Sequence, residues 1–213
     1  AREIGDRRGE GNALGNLGLA YADLGETRKA IEYYERRLVI AREIGDRRGE
    51  GNALGNLGLA YADLGETRKA IEYYERRLVI AREIGDRRGE GNALGNLGVA
   101  YKNLGETRKA IEYYEQGLVI DREIGDRRGE GNALGNLGSA YYLLGETRKA
   151  IEYYEQQLKI VREISEAPRS EAERAADRRG EGNALGNLGL AYAALGETRK
   201  AIEYYEQRLV IAR

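Results

Sequence analysis

The side chains in this sequence best suited to chemistry are amides and guanidiniums placed at fixed intervals. Asn12 and Asn16 stand four residues apart, which puts both on one face of a helix. The pair recurs as Asn52 and Asn56, Asn92 and Asn96, Asn132 and Asn136, and Asn183 and Asn187. A primary amide both donates and accepts, so two such rows suit an extended ligand backbone, whose N–H and C=O groups alternate. The alternative is that facing asparagines bond each other or water. Arg37 is a charge set among apolar neighbours, with Arg77 and Arg208 as counterparts and Gly117 and Gln157 interrupting the row. Within the chain its candidate partners are a nearby glutamate, Asp23 or Asp63, with the aliphatic stem packed and the charged head in water.

Other chemistries find fewer actors. There is no cysteine and no histidine, which removes thiolate catalysis, disulfides, zinc-cysteine sites and the usual general base. Gly9-Glu10-Gly11-Asn12-Ala13-Leu14-Gly15 superficially resembles a dinucleotide fingerprint, but no strand precedes it and no P-loop lysine follows. Glu32 and Glu35 lie three apart on a polar helix face, where solvated charge is the ordinary explanation. No catalytic residue, metal site or cofactor is expected. Thirty-five basic residues against 36 acidic ones leave a formal charge of −1, with the signs mixed in every segment, so neither a nucleic acid nor a membrane is called for as partner. No apolar run approaches the roughly 18 residues of a membrane span, and AREIGDRR is not a signal peptide, so a cytoplasmic location is the default expectation.

What must position these side chains is a repeat. Residues 1–40 and 41–80 are identical, and a forty-residue period signals stacked supersecondary units that bury their faces against neighbours. Five units divide the chain at 6–45, 46–85, 86–125, 126–164 and 177–213, within a single solenoid over 1–213. Residues 1–5 read as the tail of a helix from a missing unit. The sequence lacks Met, Trp, Phe, Cys and His, which natural domains rarely do. With the missing initiator methionine, this points to a designed or consensus-built array, the alternative being a recently duplicated natural one.

Each unit reads as two helices. Asp6 is a suitable N-cap and Gly25 a suitable stop, repeated at Gly45. With Asn12 set at zero and about 100° per residue, Leu14, Leu17, Tyr21 and Leu24 cluster within about 40° of the 160° direction, the expected core face of helix A. Gly11, Gly15, Gly18 and Ala22 fall between about 240° and 300°, a lengthwise stripe. Each interior glycine costs the helix up to about 1 kcal/mol, so tertiary contact must offset the loss. The expected counterpart on helix B is Ala30. Helix B runs from about Thr27 to Ile44, with Ala30, Ile31, Tyr34, Leu38, Ala41 and Ile44 on an apolar arc and Val39 among the charges.

One junction departs from the pattern. Residues 165–176 read SEAPRSEAERAA, with the chain's single proline at Pro168. The preceding helix is expected to stop there. Ser170 and Glu173 form a capping box, so helix A of the fifth unit is predicted to start near Glu171, lengthened. A solvated insertion is the alternative.

The phrase NALGNLGLAYADLGETRKAIEYYERRL resembles the tetratricopeptide repeat (TPR). In the first unit Leu14 stands where the family has tryptophan, while Leu17, Gly18, Tyr21, Gly25, Ala30, Tyr34 and Leu38 follow its pattern. The forty-residue length, GNLG and GDRRGEG resemble the longer subclass of the Pins/LGN spindle-orientation adaptors and, more loosely, kinesin light chains. Arg42 takes the family's usual terminal proline position, which with the longer period implies extended helices. The resemblance implies an all-α, right-handed α-solenoid of antiparallel helix pairs, a TPR-like superhelix whose A helices line a concave groove for an extended peptide or protein segment. Asn12, Asn16, Leu19 and Asp23, within about 60° of one another, would line that groove. Arg37, by resemblance to the Pins/LGN group, would reach into it and pair with acidic side chains of the ligand. The units differ mainly at the places of Leu19, Ala22, Asp23, Arg36, Arg37, Val39 and Ala41. Lys102 and Asn103 in the third unit, and Ser139, Tyr142 and Leu143 in the fourth, vary the groove while the frame stays constant. Drift near helix ends is the rival account. A non-enzymatic peptide-binding scaffold is therefore expected. The alternative is a structural repeat protein without a natural ligand, associating with copies of itself through exposed end faces or by swapping at the insertion.

Overall fold

The computed structural model describes residues 4–165 and 170–212. Those residues form ten α-helices: α1 (Ile4–Asp23), α2 (Thr27–Glu43), α3 (Arg47–Asp63), α4 (Thr67–Glu83), α5 (Arg87–Asn103), α6 (Thr107–Glu123), α7 (Arg127–Leu143), α8 (Thr147–Ser165), α9 (Glu171–Ala194) and α10 (Thr198–Ile211). The fold class is the all-α solenoid of helix pairs. Contacts divide the chain into two compact units, residues 1–105 and 106–213. In the first, each of α1 to α4 packs on the helix that follows it; in the second, α6 to α9 do the same.

Short turns enforce this nearest-neighbour order. Gly25 adopts φ +75°, a conformation that a side chain would strain. Its N–H donates to the Ala22 carbonyl at 2.9 Å and the Glu26 N–H to the Tyr21 carbonyl at 2.8 Å, the paired bonds that close a helix C-terminus. Gly45, Gly65, Gly85, Gly105, Gly125, Gly145 and Gly196 repeat the positive φ. Asp46, Asp86 and Asp126 cap α3, α5 and α7, each side chain accepting from the N–H three residues on at 2.9, 3.0 and 2.9 Å. Asp6 departs from this expectation, because α1 already begins at Ile4 and Asp6 lies in its first turn.

The core follows the predicted face, with corrections. Leu54, Leu57, Leu94, Leu97, Leu134, Leu137, Leu185 and Leu188 are fully buried. In α1, however, Leu17 is 44% exposed where its counterpart Leu57 is 0% exposed. Leu57 belongs to α3, which α2 covers on one side and α4 on the other; α1 packs on α2 alone. Leu24 does not join the core: it is 72% exposed, standing just past the last turn of α1, and Leu64, Leu104 and Leu195 are exposed as well. On α2, Ala30, Ile31, Tyr34, Leu38 and Ala41 are buried as expected, Ile40 joins them, and Ile44 is only half-buried as the C-cap residue. Val39 is exposed, as read from the sequence.

The junction near residue 170 resolves on the lengthened helix. Ser170 Oγ accepts from the Glu173 N–H at 3.4 Å, and the Ser170 N–H donates to Glu173 Oε2 at 3.0 Å. This reciprocal cap starts α9, which at 24 residues is the longest described helix. The expected stop at Pro168 falls outside the described residues.

Candidate functional site

Helix A receives helix B side chains at its glycines. A Cβ built on Gly11 would meet Ile40 Cγ2 at 3.3 Å, one on Gly15 would meet Arg37 Nη1 at 2.5 Å, and one on Gly18 would meet Tyr34 Cδ1 at 2.6 Å. The paired numbers fall on α2 as they rise on α1, so the two helices run antiparallel. This corrects the sequence expectation that Ala30 is the counterpart of the glycine stripe: the stripe makes room for a ring and a guanidinium, and Ala30 is simply buried.

The seat of Arg37 is thereby defined. Its guanidinium lies over bare helix backbone at Gly15, and Arg77 repeats the arrangement over Gly55 at the same 2.5 Å. In the second compact unit, residues 106–213, Arg208 Nη1 takes this place over Gly186 at 2.7 Å, and Gln157 Nε2 takes it over Gly135 at 2.5 Å. A shallow recess with room for about one water molecule adjoins Arg37, with Arg8, Gly11, Asn12, Ile40 and Asp46 among its walls. A second of the same small size has Arg48, Asn52, Arg77 and Asp86 among its walls one period on. Burial pushes the Arg77 guanidinium below its ordinary value, against the opposing charges of Asp86 and Tyr74. Among the described residues Arg37 and Arg77 form no ion pair with Asp23, Asp63 or a glutamate.

The amide rows stand on the water-facing side of helix A. Asn12, Asn16, Asn52, Asn92, Asn132 and Asn183 are exposed, and Asn56, Asn96, Asn136 and Asn187 are half-buried. Among the described residues none of these amides hydrogen bonds to another. Leu19, Leu59 and Leu190 lie exposed on the same helices, with Asn103 exposed and Lys102 half-buried at the end of α5. In α7, Tyr142 and Leu143 are exposed. Ser139 is engaged internally: its Oγ donates to the Gly135 carbonyl at 2.9 Å and accepts from the Tyr154 hydroxyl at 3.2 Å.

Sequence reasoning missed a set of buried glutamates. Glu50, Glu90 and Glu130 are buried in the first turns of α3, α5 and α7. Arg42 Nε donates to Glu50 Oε1 at 2.8 Å and Arg47 Nη1 to Oε2 at 2.6 Å, while Arg47 also pairs with Glu83. Burial alone would raise the Glu50 carboxyl, but the bonds from Arg42 and Arg47 outweigh it and hold the group below its usual value. Arg82 and Arg87 grip Glu90 in the same way, as Arg122 and Arg127 grip Glu130. The signal lay in REIGDRRGEG, which puts a glutamate at the fourth helical residue, three after one arginine and eight after another. This clamp is why an arginine suits the place of Arg42. Opposite it, stacked tyrosines join helices A and B: the Tyr21 and Tyr33 centroids are 5.2 Å apart, those of Tyr61 and Tyr73 5.3 Å, and Lys69 Nζ sits 4.3 Å over the Tyr61 ring.

No helix among the described residues is long and apolar enough to cross a membrane. Family models described as tetratricopeptide repeat match residues 9–83, 50–123 and 89–163, and another matches residues 184–213. Among solved structures, BtubC (BKLC) from P. vanneervenii is similar at a TM-score of 0.82 and 22% identity, over 99% of this chain and 90% of that one. A putative kinesin light chain from Podosopora anserina with nearly identical TPR-like repeats matches at 0.75 and 22%, over 100% of this chain and 97% of that one. A signal transduction ATPase with a tetratricopeptide repeat sensor from Pyrococcus horikoshii matches at 0.81 and 24%, over 95% of this chain and 30% of that one. At such identities the likeness is one of fold. No curated protein matches the sequence.

Proposed function

Because the chain belongs to the tetratricopeptide repeat family, whose models cover most of it, we propose that it is a non-enzymatic scaffold for a peptide or protein segment. The segment is extended and partly acidic, and it lies along the exposed face of the A helices. The five-unit division at forty-residue spacing belongs to this reading, as does origin in a designed or consensus-built array. The observation that carries it is the pair of guanidiniums at Arg37 and Arg77, seated on glycine backbone beside small recesses whose carboxylates, Asp46 and Asp86, form no ion pair with them. A ligand carboxylate would supply the missing charge-assisted bond, and the unbonded amides of Asn12, Asn16, Asn52 and Asn56 would meet its backbone.

Calorimetric titration with a glutamate-rich peptide tests this. Saturable binding that weakens with added salt, and weakens about tenfold when both Arg37→Gln and Arg77→Gln are introduced, is expected. A flat trace removes the reading.

Self-association is a second reading, supported by bare apolar faces: Leu17 on α1, and Ile202, Tyr205 and Leu209 on α10, are exposed where their internal counterparts are buried. It requires an apparent mass that rises with concentration in light scattering. A constant monomer mass disposes of it.

A further inference from the structure

The recess beside Arg37 has a second arginine in its wall. Arg8 lines it from α1, as Arg48 lines the recess beside Arg77 from α3. Arg8 and Arg48 are exposed and form no ion pair among the described residues. Arg8 stands four residues before Asn12 and eight before Asn16, so all three share one face of α1; Arg48, Asn52 and Asn56 repeat the spacing on α3. Each recess therefore counts two guanidiniums against one carboxylate, Asp46 or Asp86, which already accepts a backbone N–H at 2.9 or 3.0 Å. One positive charge is in excess at each, the match of a single carboxylate. A space that admits about one water molecule is too small for an ionised side chain to enter, so the partner group belongs at the mouth, beside the exposed Arg8 and Asn12. Two such clamps stand in adjacent repeats only in the compact unit 1–105. Gly117 and Gln157 replace the Arg37 guanidinium in the third and fourth repeats, and Arg128, the fourth repeat's counterpart of Arg8, is paired with Asp177 at 3.1 Å. The fifth repeat has Arg179 and Arg208, but the repeat before it has no clamp.

We propose that Arg8 and Arg48 complete two adjacent carboxylate clamps with Arg37 and Arg77, and that the segment these select is a polyproline II stretch with acidic side chains three residues apart. The inference rests on the proposed binding along the A helices. Packed helices lie about 8–10 Å apart, and α3 touches α5, so consecutive clamps are separated by about 10 Å. A polyproline II helix advances about 9 Å per turn of three residues, which returns every third side chain to the same face. A β-strand returns side chains to one face about 7 or 13 Å apart, and neither step fits. The polyproline II backbone also makes no internal hydrogen bonds. Its N–H and C=O groups are therefore free for the amides of Asn12, Asn16, Asn52 and Asn56. One carboxylate per clamp balances the excess charge at each mouth, and a guanidinium on either side gives it more than one charge-assisted donor.

Calorimetric titration with four synthetic proline-rich peptides tests this. All have one length and blocked termini, and each carries two glutamates set two, three, four or five residues apart in an otherwise uncharged sequence. The three-residue spacing should bind tightest, by about tenfold over the others. Arg8→Gln and Arg48→Gln, at exposed and unpaired positions, should melt as the wild-type chain does. Each should weaken the three-spaced peptide about tenfold and level the four affinities. A maximum at any other spacing, no dependence on spacing, or unchanged affinity in both variants overturns this inference. The parent reading then stands if a glutamate-rich peptide still binds and the joint Arg37→Gln and Arg77→Gln change still weakens it. Binding of neither that peptide nor any of the four removes the parent reading, and this inference with it.

Discussion

Gly18 has no side chain because the Tyr34 ring occupies the place where one would go: a Cβ there would stand 3.0 Å from Cζ and closer still to Cδ1. Replacing Gly18 with leucine must displace a buried ring, and the helices with it. Gly18→Leu is expected to cost about 3 kcal/mol, read by thermal or urea unfolding. Gly9 is the internal contrast, since a Cβ there meets nothing within 4 Å. Gly9→Ala should gain up to about 1 kcal/mol from helix propensity alone; equal effects at the two glycines would remove the steric account. Asp121 is the other residue whose setting decides its chemistry. It takes the place of Ala41 and Ala81, with its Cγ 2.7 Å from where a Cβ of Gly129 would be. Burial first, then the charges of Asp126 and Glu130, push its carboxyl from 3.8 up to about 6. Between those values the folded state binds the proton more tightly than the unfolded chain, so stability falls as pH rises through this window. Asp121→Ala should therefore stabilise by about 1 kcal/mol at pH 7, a figure reduced for partial solvation, and by little at pH 4. Identical gains at both pH values would contradict the assignment.

At the scale of the element, capping depends on where the helix starts. Asp46 satisfies the Gly49 N–H at 2.9 Å, and Asp46→Ala should cost about 1 kcal/mol. Asp6 has the same sequence after it, yet lies inside α1, so Asp6→Ala should cost far less. Equal losses in urea melts would place the α1 start at Asp6 after all. The Arg42–Glu50–Arg47 clamp joins the end of α2 to the start of α3, and its arginines are half in water, so it fixes the junction more than it stabilises it. The sequence displayed these elements well: Gly25 and Gly45 mark stops, the three Asp caps mark starts, and Ser170 with Glu173 marks the start of α9. It hid Ile40 and Glu50, whose positions on the helix wheel border the polar face. Their burial comes from a second helix closing over them, which periodicity in one helix does not report.

At the scale of the molecule, a repeat stack is held by contacts between neighbours, so position in the stack sets the worth of a side chain. Leu57→Ala, at a 0% exposed site, should cost about 3 kcal/mol. Leu17→Ala, in the same local sequence but 44% exposed, should cost less than about 1 kcal/mol. Melting both variants checks this, and equal losses would mean that α1 is covered as α3 is. The sequence by itself determined the helices, their period, their turns and the family, because caps, stops and apolar spacing act within a few residues along the chain. Only the tertiary structure decided that identical segments differ in burial, that the glycine stripe receives Tyr34 and Arg37 rather than a second helix backbone, and that Arg8 shares a recess with Arg37. Each of those depends on which atoms of a distant segment arrive, and a local pattern carries no record of its visitor.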